Sequence, residues 1–217
     1  MRDQYYDQLD SIVDDLVAMT SAVQTAVHEA TDALLNADSA AAESVITGDK
    51  QIDISREVIE NRTLQLLATQ QPVAGDLRQL VATLRMVGDL ERMGDLSAHI
   101  AKIARRRMPD IAVPDELKPT IAEMASVADR MIAAAAKIVA ERDIAAATDL
   151  EAEDDEMDTL RRMLFRTLLS ESWAHGVEPA VDIALLGRYY ERIGDHAVSV
   201  ARRVVYLVTG EVPAPVH

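Results

Sequence analysis

"DLERMGDLSAHIA" (Asp89–Ala101) recurs later in the chain as "YYERIGDHAVSVA" (Tyr189–Ala201). The shared E-R-(M/I)-G-D core sets Glu91 and Asp95 of one copy against Glu191 and Asp195 of the other. Residues four apart on a helix share a face, so each copy presents a pair of carboxylates together. One such pair is an ordinary solvated helix face. Its repetition asks whether the whole chain is duplicated.

It is. Sliding the sequence along itself lays Met19–Asp53 on Met124–Asp158 without a gap, so that Asp49/Asp53 meet Asp154/Asp158. In that register "NADSAAAE" (Asn36–Glu43) lies on "ERDIAAAT" (Glu141–Thr148). The E-R-x-G-D helices need a slightly shorter offset, and the difference falls in the turns before them, where length changes are tolerated. A duplication of this length is the mark of a repeated supersecondary unit.

Within each copy, apolar residues recur at helical spacing and no strand-like alternation competes. The pattern predicts helices over about Arg2–Asn36, Ser39–Gln70, Asp76–Arg107, Thr120–Glu141, Asp143–Ser172 (with Asp143 as cap) and Pro179–Thr209. Turns fall at "NADSA", "QQPVAG" and "WAHGVEP", and the Pro-rich "MPDIAVPDELKP" separates the halves. The expected fold is all-α: two tandem three-helix bundles, residues 1–108 and 109–217, built of six long antiparallel helices. The tail "GEVPAPVH" (Gly210–His217) is expected to fray.

Composition narrows the function. A net charge of −15 argues against a nucleic-acid partner, which needs clustered Lys and Arg. With no cysteine, thiolate metal sites, disulfides and Cys nucleophiles are excluded. The acidic start "MRDQYYDQLD" is unlike a signal peptide, and no run reaches the ~20 apolar residues of a bilayer span. A cytoplasmic protein is expected, meeting membranes only through partners.

Turn-counting gives each E-R-x-G-D pair an opposite half. Pro72 lies about 21 residues after the middle of Asp49–Asp53 and about 21 before the middle of Glu91–Asp95, which brings both pairs to one height on antiparallel helices. In the second copy the turn near Gly176 leaves Asp154/Asp158 and Glu191/Asp195 offset by about one helical turn. Each copy thus collects four acids: Asp49, Asp53, Glu91 and Asp95, then Asp154, Asp158, Glu191 and Asp195. Close carboxylates repel, and raised pKa values or bound cations relieve them. All-oxygen donors suit hard or borderline ions such as Mg²⁺, Mn²⁺ or Fe better than a Cys/His zinc site.

Bland readings stand beside this one. Arg92 and Arg192 lie inside the motifs and offer surface ion pairs. The acid-rich "DLEAEDDEMD" (Asp149–Asp158) is mostly a solvated face, and pairs such as Glu151/Asp155 compete with the register that selects Asp154 and Asp158. His196 offers an imidazole in copy two, with His99 a substitute in copy one; His28 and His175 read as ordinary helix-face and turn residues. Arg105–Arg107, Arg202 and Arg203 sit near helix C-termini, where capping is the default. Gly94 and Gly194, costly in mid-helix, point to close helix approach, with room for a ligand second. No catalytic constellation emerges, so a non-enzyme is expected.

"QQPVAGDLRQLVATLRMVGDLERMGDLSAHIAKIA" (Gln70–Ala104) and "LLGRYYERIGDHAVSVARRVVYLVTGE" (Leu185–Glu211) resemble the paired signatures of the PhoU family, the phosphate-specific transport system accessory proteins. The resemblance spans essentially the whole chain. It implies two three-helix bundles and a cytoplasmic negative regulator of the phosphate-starvation response. Its implied partners are the ATPase of the Pst phosphate ABC transporter and a sensor histidine kinase of a two-component system, with a homodimer by analogy. It also implies metal clusters on the eight carboxylates named above, with Fe, Mn, Mg or Zn as the ion. Leu96, Ser199 and Arg202 depart from the residues frequent at those family positions (His, Asn and Glu), which bears on the metal rather than the fold. The alternative reading is a carboxylate-bridged helical bundle with an oxidase or metal-storage role; such sites pair Glu with Glu-x-x-His, which is missing at facing positions here.

Overall fold

The computed structural model describes the backbone of residues 2–211 and the side chains of 4–150 and 153–211. Six helices account for most of it: α1 (Arg2–Asn36), α2 (Ser39–Gln70), α3 (Ala74–Arg107), α4 (Lys118–Glu141), α5 (Ile144–Leu168) and α6 (Val177–Thr209). A 3₁₀ turn, Asp115–Leu117, leads into α4. The described residues contain no strand, as the periodicity requires. Of the expected tail, residues 212–217 lie outside those described.

The duplication is written into the backbone as well as the sequence. Ala37 (φ 52) and Arg142 (φ 54) occupy matching positions and both adopt the left-handed conformation that stops a helix. Next to them, Asp38 and Asp143 restart the chain in the same way. Asp38 Oδ1 accepts the backbone N–H groups of Ala40 and Ala41 at 2.9 and 3.0 Å; Asp143 Oδ1 accepts those of Ala145 and Ala146 at 2.9 and 3.1 Å. Each aspartate satisfies amides that the first helical turn leaves bare.

Four boundaries differ from expectation; α4 and α6 each begin two residues earlier, at Lys118 and Val177. Helix α3 begins at Ala74 rather than Asp76, with Val73 extended before it as its N-cap. Helix α5 stops at Leu168 instead of running to Ser172. There Ser170 tightens the chain, its N–H and hydroxyl both bonding Thr167 O, and the Trp173 indole N–H donates to Gly176 O at 2.7 Å. The turn between α5 and α6 is consequently longer than the one between α2 and α3.

Helices α1–α3 pack on one another, as do α4–α6, yet the halves are not separate bodies. Helix α3 packs on α6 as extensively as on α2, and α1 packs on α4. The apolar core is one continuous cluster running through both halves. Helices α3 and α6 run antiparallel: Arg107 at the end of α3 meets Glu178 and Asp182 at the start of α6, while Arg78 near the start of α3 donates to Leu207 O near the end of α6. Across α1 and α4, Gln24 bonds Asp129 at 3.0 Å. These two residues are repeat counterparts, so a pseudo-twofold axis passes between them. Tyr190, fully buried on α6, shares a 2.8 Å hydrogen bond with Thr31 on α1 and ties the second half to the first.

No helix of the described residues is long and apolar enough to cross a membrane.

Candidate metal centre

Antiparallel α2 and α3 carry the first set of carboxylates, and α5 and α6 the second. In the first, Asp49, Asp53, Glu91 and Asp95 are all half-buried. Burial raises the Asp49 carboxyl, and the charges of Asp95, Asp53 and Glu91 raise it further against an opposing Lys102. Glu91 is raised by burial and by Asp95, with Arg92 and Arg56 opposing. The acids proposed to face each other across the turn do so.

The second set repeats the arrangement. Burial pushes Asp154 up to about 6, helped by Asp195, Asp158, Asp155 and Glu191 in that order. The offset of one helical turn expected here does not keep the pairs apart, because the longer turn at residues 169–176 takes it up. Glu191 is buried and Asp154 half-buried, while Asp158 and Asp195 lie exposed at the rim.

The glycines explain how two helices come this close. A methyl group at Gly94 would sit 3.0 Å from Ile52 Cδ1 and 3.3 Å from Asp49 Oδ1; one at Gly194 would sit 3.2 Å from Met131 Sδ and 3.4 Å from Asp154 Oδ1. Of the two readings of these glycines, close helix approach is the one these contacts support.

Arginines occupy the acids as they stand. Arg92 bonds Asp95 at 3.1 Å and lies 3.7 Å from Glu91, the surface pairing its position within the motif offered. Glu191 is held on both oxygens, by Arg161 at 3.2 Å and by Arg188. Among the described residues, no three acidic or imidazole groups are placed so that they could hold one metal ion. The donor chemistry still suits a hard cation, since every donor is a carboxylate oxygen and Asp49, Glu91 and Asp154 are partly desolvated.

Neither histidine considered as an extra ligand is turned to this purpose. His196 Nδ1 lies 3.1 Å from Asp89 Oδ1 on α3, across the seam between the halves. His99 packs edge-on against Tyr189 of α6, ring centroids 5.5 Å apart, and burial with nearby Lys102 holds its imidazole below the usual value. The two exchange partners across the same helix pair. His28 pairs with Asp32 on its own helix and His175 with Glu116, as ordinary surface residues do.

The arginines at the end of α3 are not simple helix caps. Arg106 and Arg107 both reach the nearly inaccessible Asp182 of α6, and Arg105 pairs with Glu43 of α2 at 2.7 Å. Asp182 went unnoticed in the sequence because it is not itself repeated: its counterpart in the first copy is Ala82. Of the alternative pair Glu151/Asp155, the Glu151 side chain lies outside the described residues, and Asp155 is exposed.

The model of the PhoU domain matches residues 16–104 and again 121–204. The chain belongs to the PhoU family. A Mycobacterium tuberculosis protein named "Phosphate-specific transport system accessory protein PhoU homolog 2" is 45% identical over 213 residues, spanning 98% of this chain and 100% of that protein. The Mycobacterium leprae protein of the same name but "homolog 1" is 44% identical over 213 residues, spanning 98% and 96%. The crystal structure of PhoU from Pseudomonas aeruginosa superposes with a TM-score of 0.86 at 28% identity, covering 95% of this chain and 100% of that one. PhoU from Streptococcus pneumoniae gives 0.88 at 24% identity, covering 97% and 100%, a likeness of fold. Both matched segments of this PhoU chain contain one complete carboxylate set.

Proposed function

We propose that this PhoU protein is a regulatory accessory of phosphate transport that acts by docking to other proteins rather than by catalysis. The observation that carries the reading is near-full-length identity of 43–45% to mycobacterial proteins named as phosphate-specific transport system accessory proteins. In the finer form of the proposal, it works in the cytoplasm as a homodimer. It links the ATPase of the Pst phosphate transporter to a sensor histidine kinase and represses the phosphate-starvation response when phosphate is plentiful. Two bundles joined along a shared α3–α6 seam suit such an adaptor, because each half presents its own carboxylate face.

Asp49, Asp53, Glu91 and Asp95 would hold an ion in the first half, and Asp154, Asp158, Glu191 and Asp195 in the second. A hard cation bound there supplies charge neutralisation and a cross-link between two helices. The raised carboxyls of Asp49 and Asp154 support the reading, since like charges gathered in a cleft gain most from a cation.

Deleting the gene tests the regulatory function. Phosphate-responsive genes should switch on in high phosphate. Because relatives occur as homologs 1 and 2, the test belongs in a strain with any second copy also removed. Unchanged expression in that strain refutes the proposal.

A further inference from the structure

The repeat allows the two carboxylate sets to be compared position by position, and at one acid they differ sharply. Glu191 has both oxygens engaged by guanidinium groups: Oε1 by Arg161 and Oε2 by Arg188. Its counterpart Glu91 has one ion pair, with the exposed Arg92 at 3.7 Å from Oε2, and feels Arg56 only through its charge.

Two residue differences account for this. Arg188 stands where the first copy has Gly88, which has no side chain to offer. Arg161 has a counterpart, Arg56, but that arginine is drawn along its own helix to Glu60 at 3.2 Å. In the second copy the residue matching Glu60 is Phe165, which carries no charge to compete. Instead Arg161 lies over the Phe165 ring, 5.4 Å from its centroid, and its head is free to reach Glu191. One charge has been lost from the flank and another guanidinium gained at the centre.

Burial adds weight to the difference. The Glu191 side chain is 11% exposed, against 20% for Glu91. Charge-assisted hydrogen bonds on a buried carboxylate are stronger and less screened than an exposed pair. Ligation through Glu191 must first break one such bond, from Arg188, and the ion pair with Arg161. Both arginines are partly exposed, so each has water to swing into once released.

We propose that the two sets are unequal cation sites: the first loads freely, whereas the second is latched by Arg161 and Arg188 and loads only when they are displaced. The proposal rests on the reading of the carboxylate sets as metal sites. It assigns Gly88/Arg188 and Glu60/Phe165 as the positions that set the difference.

The test is Mn²⁺ titration of metal-stripped full-length protein, with free Mn²⁺ followed by its electron paramagnetic resonance signal. Wild type should show a tight class of sites and a second class about tenfold or more weaker, the cost of breaking two charge-assisted pairs. Asp49→Asn should remove the tight class and Asp154→Asn the weak one. The double variant Arg188→Gly/Phe165→Glu gives the second copy the residues of the first and should bring the two classes to within a few-fold of each other. Arg188→Gly alone, if the double variant fails to fold by circular dichroism, should narrow the gap partway. Two classes of equal affinity in wild type overturn the latch while leaving the metal reading intact. So does an unchanged gap in a folded variant. No Mn²⁺ bound by wild type at either set overturns the metal reading and the latch together.

Discussion

Replacing Asp154 by Asn should stabilise the metal-free protein, contrary to the usual effect of removing a charged group. The Asp154 carboxyl is lifted from 3.8 to about 6 because burial and four neighbouring acids penalise its ionised form. Above both values the group is ionised whether the chain is folded or not, and the fold bears the whole penalty. At ~1.36 kcal/mol per pKa unit this is at most about 3 kcal/mol. Since the side chain is only half-buried, solvent screening reduces it to about 1–2 kcal/mol. The penalty shrinks as pH falls through about 6 and is gone below 3.8, where folded and unfolded forms are both protonated. Asp154→Asn should therefore raise the melting temperature in chelator at pH 8 by roughly 3–6 °C for a chain of this size. The gain should fall steadily towards pH 5. Calorimetry at pH 8, 7, 6 and 5 reads both the sign and the slope. A variant melting below wild type at pH 8, or a gain independent of pH, would show that the four acids do not repel Asp154 as described.

Four further substitutions probe packing. Gly94→Ala should cost about 1–2 kcal/mol, as its methyl meets the branched Ile52 at 3.0 Å, whereas Gly194→Ala should be near neutral because flexible Met131 can yield; equal costs in urea melts would contradict this. Tyr190→Phe should cost about 1 kcal/mol, for it removes the buried hydroxyl bonded to Thr31 while Thr31 keeps its bond to Val27 O, and a variant as stable as wild type in denaturant titration speaks against that tie. Asp182→Ala should cost about 2–3 kcal/mol by removing the buried carboxylate shared by Arg106 and Arg107 and leaving Arg107 only the exposed Glu178 on α6, and thermal melts showing no loss would mean that the Glu178 pair alone holds this end of the seam.

The fold was legible because its signals are local and doubled. Apolar spacing marks the helices, and Asp38 and Asp143 mark the same cap twice. The carboxylate sets were legible for a related reason: the rise per residue fixes which acids come level across a short turn. Side-chain direction was harder to read. His196 sits one residue from the motif acid Asp195, yet its ring crosses to Asp89, because successive helical residues point about 100° apart. The arginines on Glu191 were hidden by the regularity that revealed the site. A repeat draws attention to Glu191 and Asp195, which match, and away from Arg188 and Phe165, which do not.

That mismatch bears on how the halves work as one body. Helices α3 and α6 each carry a carboxylate pair towards a partner within their own half. Each also contributes residues to the seam: Asp89, His99 and Arg107 from α3, and Asp182, Tyr189 and His196 from α6. Asp89 is two residues before Glu91, and Tyr189 two before Glu191. A displacement of either helix at its acids therefore moves seam contacts within the same turn, since a packed helix shifts as a rod rather than bending between adjacent residues. The core gives no slack to absorb it, being continuous across both halves. Unequal carboxylate sets on two helices locked together in this way would make the chain asymmetric in its response despite the symmetry of its repeat.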